Sequence, residues 1–277
     1  MALPNSDLTS VFGRTEIGPM LLDPLASTSV ATEVSTVVRT NTRNYRFPIV
    51  ASDPTSSWVA EGDEIPSSEG SARDVPVDIF KIAALTWLTN EAADDTDPAA
   101  ADVLSDGLVR DLANQLDEAF FTSRGASTVR SAGLPDLPGV QTVEADPTTG
   151  FDPFIDALAA AEAKGAAVNT FVTTPEVARA LAKVRTGAGS NALLLGGDAQ
   201  NGVSRSVLGV PLLVSAHVEP GVVWAIPSAA SYVVIREDAR VDVDTSARFT
   251  SDSIGIRAVS RVGFAFPQPN RIVKIGA

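Results

Sequence analysis

Cysteine is absent from the 277 residues, and histidine occurs once, at His217. Without thiols there is no disulfide framework, no cysteine nucleophile and no thiolate metal site. A zinc or iron centre needs several nitrogen or sulfur ligands, which one histidine does not supply. A Ser-His-Asp triad would have to use His217 alone, and no G-x-S-x-G elbow accompanies it. The context LLVSAHVEPG makes this histidine an ordinary structural or surface residue at a strand end. Positive charge is scarce too: 21 Lys and Arg stand against 34 Asp and Glu, a net charge of −13. A nucleic-acid binder needs a basic face, and anionic lipid repels an acidic chain. No run approaches the roughly 18 apolar residues of a membrane helix. The N-terminal MALPNSDLTSVFGRTEIG lacks the basic start and apolar stretch of a signal peptide. No internal repeat is visible, and the glycine-rich Thr186–Ser190 loop lacks the G-K-[ST] ending of a phosphate-cradling loop.

What is present is an ordinary apolar fraction, 44%, in a chain long enough for a sizeable core. Residues 1–54 scatter their apolar side chains among Thr, Ser, Asn and Arg, with Pro at 4, 19, 24, 48 and 54, and read as an extended arm with a short amphipathic piece at Leu25–Val38. Residues 55–80 read as a ribbon of two strands with a long polar tip. Trp58 stands at its start, and Ile65 is the single large apolar residue between Gly62 and Asp74. Such a ribbon is marginal by itself in water.

Three helices carry the same start signal. Asp97-Pro98 precedes the ridge Leu104, Leu108, Leu112, Leu116 and Phe120 at i+4 spacing, a helix over 98–122. Asp152-Pro153 opens a second, with Ile155 and Leu158 inward and Gly165 as its stop. Thr174-Pro175 opens a third, with Val177, Leu181 and Val184 in line and Lys183 and Arg185 at its negative end. Phe171–Thr173, Pro211–Ser215, Val222–Ile226 and Tyr232–Arg236 read as short strands. The last forty residues alternate: Ile254, Ile256, Ala258, Ser260, Val262, Phe264 and Phe266 share a face, with Arg257, Val259 and Arg261 opposite. The fold class is α+β. Glu91, Asp94, Asp95 and Asp97 form the one carboxylate run suggestive of a hard cation. A turn followed by negative charge at a helix start explains them as well, so no catalytic, cofactor or metal residues are expected.

The order of these features resembles the major capsid proteins of tailed bacteriophages. Three stretches carry it: SWVAEGDEIPSSEG with DVPVDIFKIAALTWLTNEAADD, where Lys81 leads to the turn Thr89-Asn90-Glu91; the long helix ending LDEAFFTSRG; and SVLGVPLLVSAHVEPGVVWAIPSAASYVVIREDARVDVD with DSIGIRAVSRVGFAFPQPNRIVKI. The resemblance spans about residues 25–275. It implies an N-terminal arm (1–54), an extended loop (55–80), a peripheral domain with a spine helix (81–150 and 231–277) and an axial domain (151–230). The extended loop would lie across a neighbouring subunit through Trp58, Glu61, Asp63, Glu64, Glu69, Arg73 and Asp74, with Trp58 anchoring its root. A loop at 186–206, bearing Arg185, Asn191, Asp198 and Arg205, would point at a ring centre. The resemblance further implies hexamers and pentamers in an icosahedral shell around double-stranded DNA held without sequence-specific contacts, with portal and decoration proteins as partners and assembly in the host cytoplasm. No Lys lies between residues 1 and 80, so the lysine–asparagine cross-link that some members form from the loop tip is not expected. The chain starts close to the arm, which implies a separate scaffold or none. Two alternatives stand beside this: an encapsulin-type shell around a cargo enzyme, which shares the fold, and a metal-dependent enzyme using Glu91, Asp94 and Asp95.

Overall fold

The structure, a computed structural model, describes residues 29–52, 54–62, 64–89, 99–127, 129–185 and 205–276. A one-turn helix α1 (Val30–Val34) is capped by Ser29, whose hydroxyl accepts from the Thr32 amide. Strand β1 (Thr36–Arg39) follows. Ala31 and Val34 are fully buried, so this part of the sequence-defined arm belongs to the core. The ribbon also starts earlier than the sequence suggests. Its strands are β2 (Asn44–Ser52) and β3 (Ser71–Asp78), paired antiparallel with Tyr45 opposite Val77 and Phe47 opposite Val75. The alternation of Tyr45, Phe47 and Ile49 forms the first strand, but Pro48 and the polar residues between disguise it. Pro48 is tolerated because β2 is an edge strand of a two-stranded sheet.

Strand β4 (Phe80–Thr89) leads to helix α2 (Ala99–Phe121), whose 23 residues span about 35 Å. Asp97 and Pro98 lie outside the described residues. Leu112, Leu116 and Phe120 are buried as the ridge requires, while Leu104 and Leu108 are half-buried nearer the start. The ridge packs on a four-stranded sheet in the order β1-β10-β11-β4. Here β10 (Tyr232–Arg248) and β11 (Ser253–Ala265) form a long hairpin. The sequence divides β10 in two at Glu237–Ala239. The structure keeps one strand there and absorbs the irregularity in register shifts around Glu237. The inward face of β11 carries Ile256, Ala258, Ser260, Val262 and Phe264, as alternation predicts.

The second sheet has six strands in the order β5-β12-β9-β6-β8-β7: β5 (Gln141–Val143), β6 (Thr170–Thr173), β7 (Ser206–Val207), β8 (Val210–Val214), β9 (Val223–Ile226) and β12 (Val273–Ile275). Two of its strands, β5 and β12, come from segments that the sequence reading gave to the other domain. Three-residue strands paired across 130 residues leave no local pattern. Helix α3 (Asp152–Glu162) and helix α4 (Pro175–Lys183) cover one face. Thr174 caps α4 by accepting from the Val177 amide, and Gly165, at φ +67°, ends the turn after α3. In α3 the inward side chains are Phe154, Ala157 and Ala161, whereas Ile155 is half exposed. The positions i, i+3 and i+7 from Phe154 face the sheet, which turns Ile155 outward. Strand β9 is buried throughout because its residues alternate between two cores. Val223 and Ala225 face α3 and α4, while Trp224 and Ile226 face α2. The core centres on Phe120, whose ring meets Phe121 at 4.8 Å, Phe264 at 5.2 Å and Phe266 at 5.5 Å. Among the described residues, no helix is long and apolar enough to cross a membrane.

Candidate assembly surfaces

The ribbon is packed on the body at its root. Val77 is buried against Val234 and Ala265, with Tyr45, Phe47, Ile79 and Tyr232 packed around them. Phe47 and Tyr232 have ring centroids 4.7 Å apart. The approach is close enough to require a glycine on β11: a Cβ at Gly263 would sit 2.5 Å from the Asp78 carbonyl oxygen and 3.0 Å from Val77. Beyond the root the described residues of the tip, 54–62 and 64–70, are all exposed. A hydrogen bond crosses the tip, from the Ser68 hydroxyl to the Thr55 carbonyl at 2.9 Å.

Trp58 therefore does not anchor the root. It lies in the tip with its whole side chain in solvent (105% relative exposure), and Ile65 is 79% exposed. The anchor is aromatic, as expected, but it is Tyr45, Phe47 and Tyr232. Glu61, Glu64 and Glu69 share the exposed tip with Trp58, whereas Arg73 and Asp74 sit on β3. Asp74 reaches Arg46 across the ribbon at 4.0 Å. Asp63 lies outside the described residues, as do Asn191 and Asp198. Of the ring-centre group, Arg185 follows α4 and Arg205 precedes β7, where its carbonyl accepts from the Leu212 amide at 2.8 Å. Glu91, Asp94 and Asp95 also lie outside the described residues, as do Asn90 and the turn it belongs to.

Two carboxylates that sequence reading passed over organise the body. Asp117 is buried on α2, where its Oδ1 accepts from the Ser29 hydroxyl at 2.7 Å and the Ala31 amide at 2.9 Å, and its Oδ2 from the Val30 amide at 3.1 Å. It thus fastens the start of α1 to the long helix. Burial pushes its pKa up, and the donors from Ala31, Ser29 and Val30, with the charge of His217, only partly oppose that. The spacing of Ala113, Leu116, Asp117 and Phe120 places it on the apolar stripe, which is the signal that could have revealed it. Asp242 on β10 accepts from Arg257 at 2.8 Å and Arg240 at 2.9 Å on the outer face of the long hairpin. Burial there pushes the pKa up, but the hydrogen bonds and charges of the two arginines outweigh it and hold the carboxyl below the usual range. At the far end Arg248 stacks over the Trp87 ring at 4.1 Å. Among the described residues no three His, Cys, Asp or Glu side chains converge as metal ligands would.

The sequence matches the phage capsid family over residues 11–276. No curated protein matches it. Among solved structures, one from Microbacterium phage Oxtober96 is similar with a TM-score of 0.74 at 19% identity, covering 90% of this chain and 91% of that one. One from Gordonia phage Cozz gives 0.72 at 17% identity, covering 90% and 86%. The capsid of a native GTA particle gives 0.70 at 17% identity, covering 90% and 91%. At these identities the likeness is one of fold.

Proposed function

The chain belongs to the phage capsid family and is a major capsid protein, a subunit of an icosahedral shell; from that premise we propose that it assembles as hexamers and pentamers around double-stranded DNA, each subunit reaching over the next with its ribbon. The observation that carries this reading is the ribbon itself. Strands β2 and β3 are paired and anchored at the root, yet the described residues of the tip are exposed. A segment ordered at one end and coreless at the other makes sense when a neighbour supplies the missing surface. Residues 55–80 with the strand that precedes them form the extended loop. The six-stranded sheet with α3 and α4 is the axial domain, and the four-stranded sheet with α2 is the peripheral one. The loop between Arg185 and Arg205 points at the ring centre. The charge of −13 supports a shell that encloses DNA without gripping it. Assembly takes place in the host cytoplasm, with a separate scaffold, a portal and a decoration protein as partners. The protein's role is structural, and no catalytic step is assigned to it.

Sedimentation and negative-stain electron microscopy of the purified chain, alone and coexpressed with neighbouring structural genes, test the proposal. Hollow shells, or rings of five and six, are expected. A 28.7 kDa monomer in both preparations would overturn it. An enzyme copurifying inside the shells in place of DNA-packaging proteins would move the reading to an encapsulin-type compartment.

A further inference from the structure

One cleft among the described residues runs against the acidic balance of the chain. A cleft of about 480 Å³ lies between the ribbon and the body, lined by Ile49, Val50 and Arg73 of the ribbon, Lys164 after α3, and residues 267–271 ahead of β12. Arg73, Lys164 and Arg271 all stand on its wall, and no Asp or Glu lines it, although the chain has 34 of them. Several other arginines pair with carboxylates, as at Arg46–Asp74, Arg240–Asp242 and Arg261–Glu237. None of the three cleft cations makes an ion pair among the described residues. Three like charges around one cleft repel each other and create a positive potential that an anionic partner relieves. The remaining lining is mixed: Ile49, Val50, Pro267 and Pro269 are apolar, and Gln268 and Asn270 are polar and uncharged. The cleft therefore suits a partner that is both acidic and partly apolar.

The same chain carries such a partner. Between Asp53 and Gly70 the sequence has five carboxylates (Asp53, Glu61, Asp63, Glu64 and Glu69) and no Lys or Arg. Interleaved with them are Trp58 and Ile65, both exposed. The chain's own tip does not line the cleft, and Glu61, Glu64 and Glu69 face solvent. We infer that the acidic ribbon tip of one subunit docks in the basic cleft of a second copy, with its carboxylates against Arg73, Lys164 and Arg271 and an apolar side chain against Ile49 and the prolines. The inference rests on the shell-subunit reading and gives the ribbon its landing site. Tip and cleft are different surfaces, so the contact is head-to-tail and passes from subunit to subunit around a ring. Desolvated charge pairs of this kind fix register and suppress wrong partners.

Because the chain has no cysteine, the contact can be trapped directly. Chains carrying Ser67→Cys in the tip and chains carrying Asn270→Cys at the cleft are coexpressed, and the assembled material is oxidised. A disulfide joining one chain of each kind is expected. Its absence in intact assemblies would overturn the inference while leaving the shell reading standing; absence of assembly by the parent chain would sink that reading instead. Charge reversal gives a second readout. Glu61→Lys/Glu64→Lys/Glu69→Lys in the tip, and Arg73→Glu/Lys164→Glu/Arg271→Glu at the cleft, should each reduce the assembled fraction about tenfold or more with far-UV circular dichroism unchanged. A chain carrying both sets should recover assembly. Cleft reversal that leaves assembly intact but lowers nuclease-protected DNA would assign the cleft to phosphate and overturn the inference.

Discussion

The ribbon tip and the Phe120 core are opposite solutions to the same requirement, that apolar side chains leave water. Around Phe120, the rings of Phe121, Phe264 and Phe266 and the buried Trp224 satisfy it within one chain. In the tip, Trp58 and Ile65 do not satisfy it at all. A free subunit thus holds one region whose stability is its own and another whose stability is deferred to assembly. Substitutions in the first should be read in the melting of the isolated chain, and substitutions in the second only in the particle.

The largest effect belongs to the core. Phe120→Ala should cost about 3–5 kcal/mol by removing the ring shared by Phe121, Phe264 and Phe266; denaturant unfolding of the soluble subunit measures it, and a loss below about 1 kcal/mol would break the comparison. Asp117→Ala comes next, at about 2–4 kcal/mol, because the Ser29 hydroxyl and two amides of α1 lose their acceptor. Its pH signature has a definite sign. With the folded pKa raised, the contribution is fully present below the ordinary carboxylate pKa and is lost as pH rises through the folded value. Thermal melts across that window should show the slope, and Asp117→Asn should remove it.

Gly263→Ala tests the hinge between the two regions. The new Cβ meets the Asp78 carbonyl, so a loss of about 1–3 kcal/mol is expected. Hydrogen exchange should speed in Val75–Asp78 while α2 stays protected. Asp242 gives a smaller effect with the opposite pH sign. Its folded pKa is lowered, so its stabilisation, about 1 kcal/mol, is present above the ordinary carboxylate value and fades as pH falls through the lower one. Asp242→Asn should flatten that acid limb of the stability curve. The smallest effect on the isolated chain is that of Trp58→Ala, within about 0.5 kcal/mol. The same change should weaken assembly markedly by light scattering, and equal assembly by variant and parent would contradict the deferred-stability account.

Legibility in the sequence follows the same divide. The α2 ridge and the alternating face of β11 could be read because each element borders one core on one side. The strand β2 could not, because Pro48 follows its anchor side chains Tyr45 and Phe47, whose partners Val77 and Val75 lie beyond the whole polar tip. Ile155 misled because a large apolar residue beside Pro153 suggests burial, whereas the phase of α3 is set by Phe154, Ala157 and Ala161. The acidic tip is evident from composition, but the family resemblance puts Trp58 at the root, whereas its side chain stands exposed in the tip. The cleft was invisible. Arg73, Lys164 and Arg271 are distant in the chain, and only the fold brings them together.

The most direct test of the account is an electron cryomicroscopy map of the assembled particle at side-chain resolution. The account predicts density for residues 54–70 against a neighbouring subunit, with Trp58 covered there and the Phe120 core unchanged. A map in which the tip stays exposed, or touches only its own chain, would contradict it.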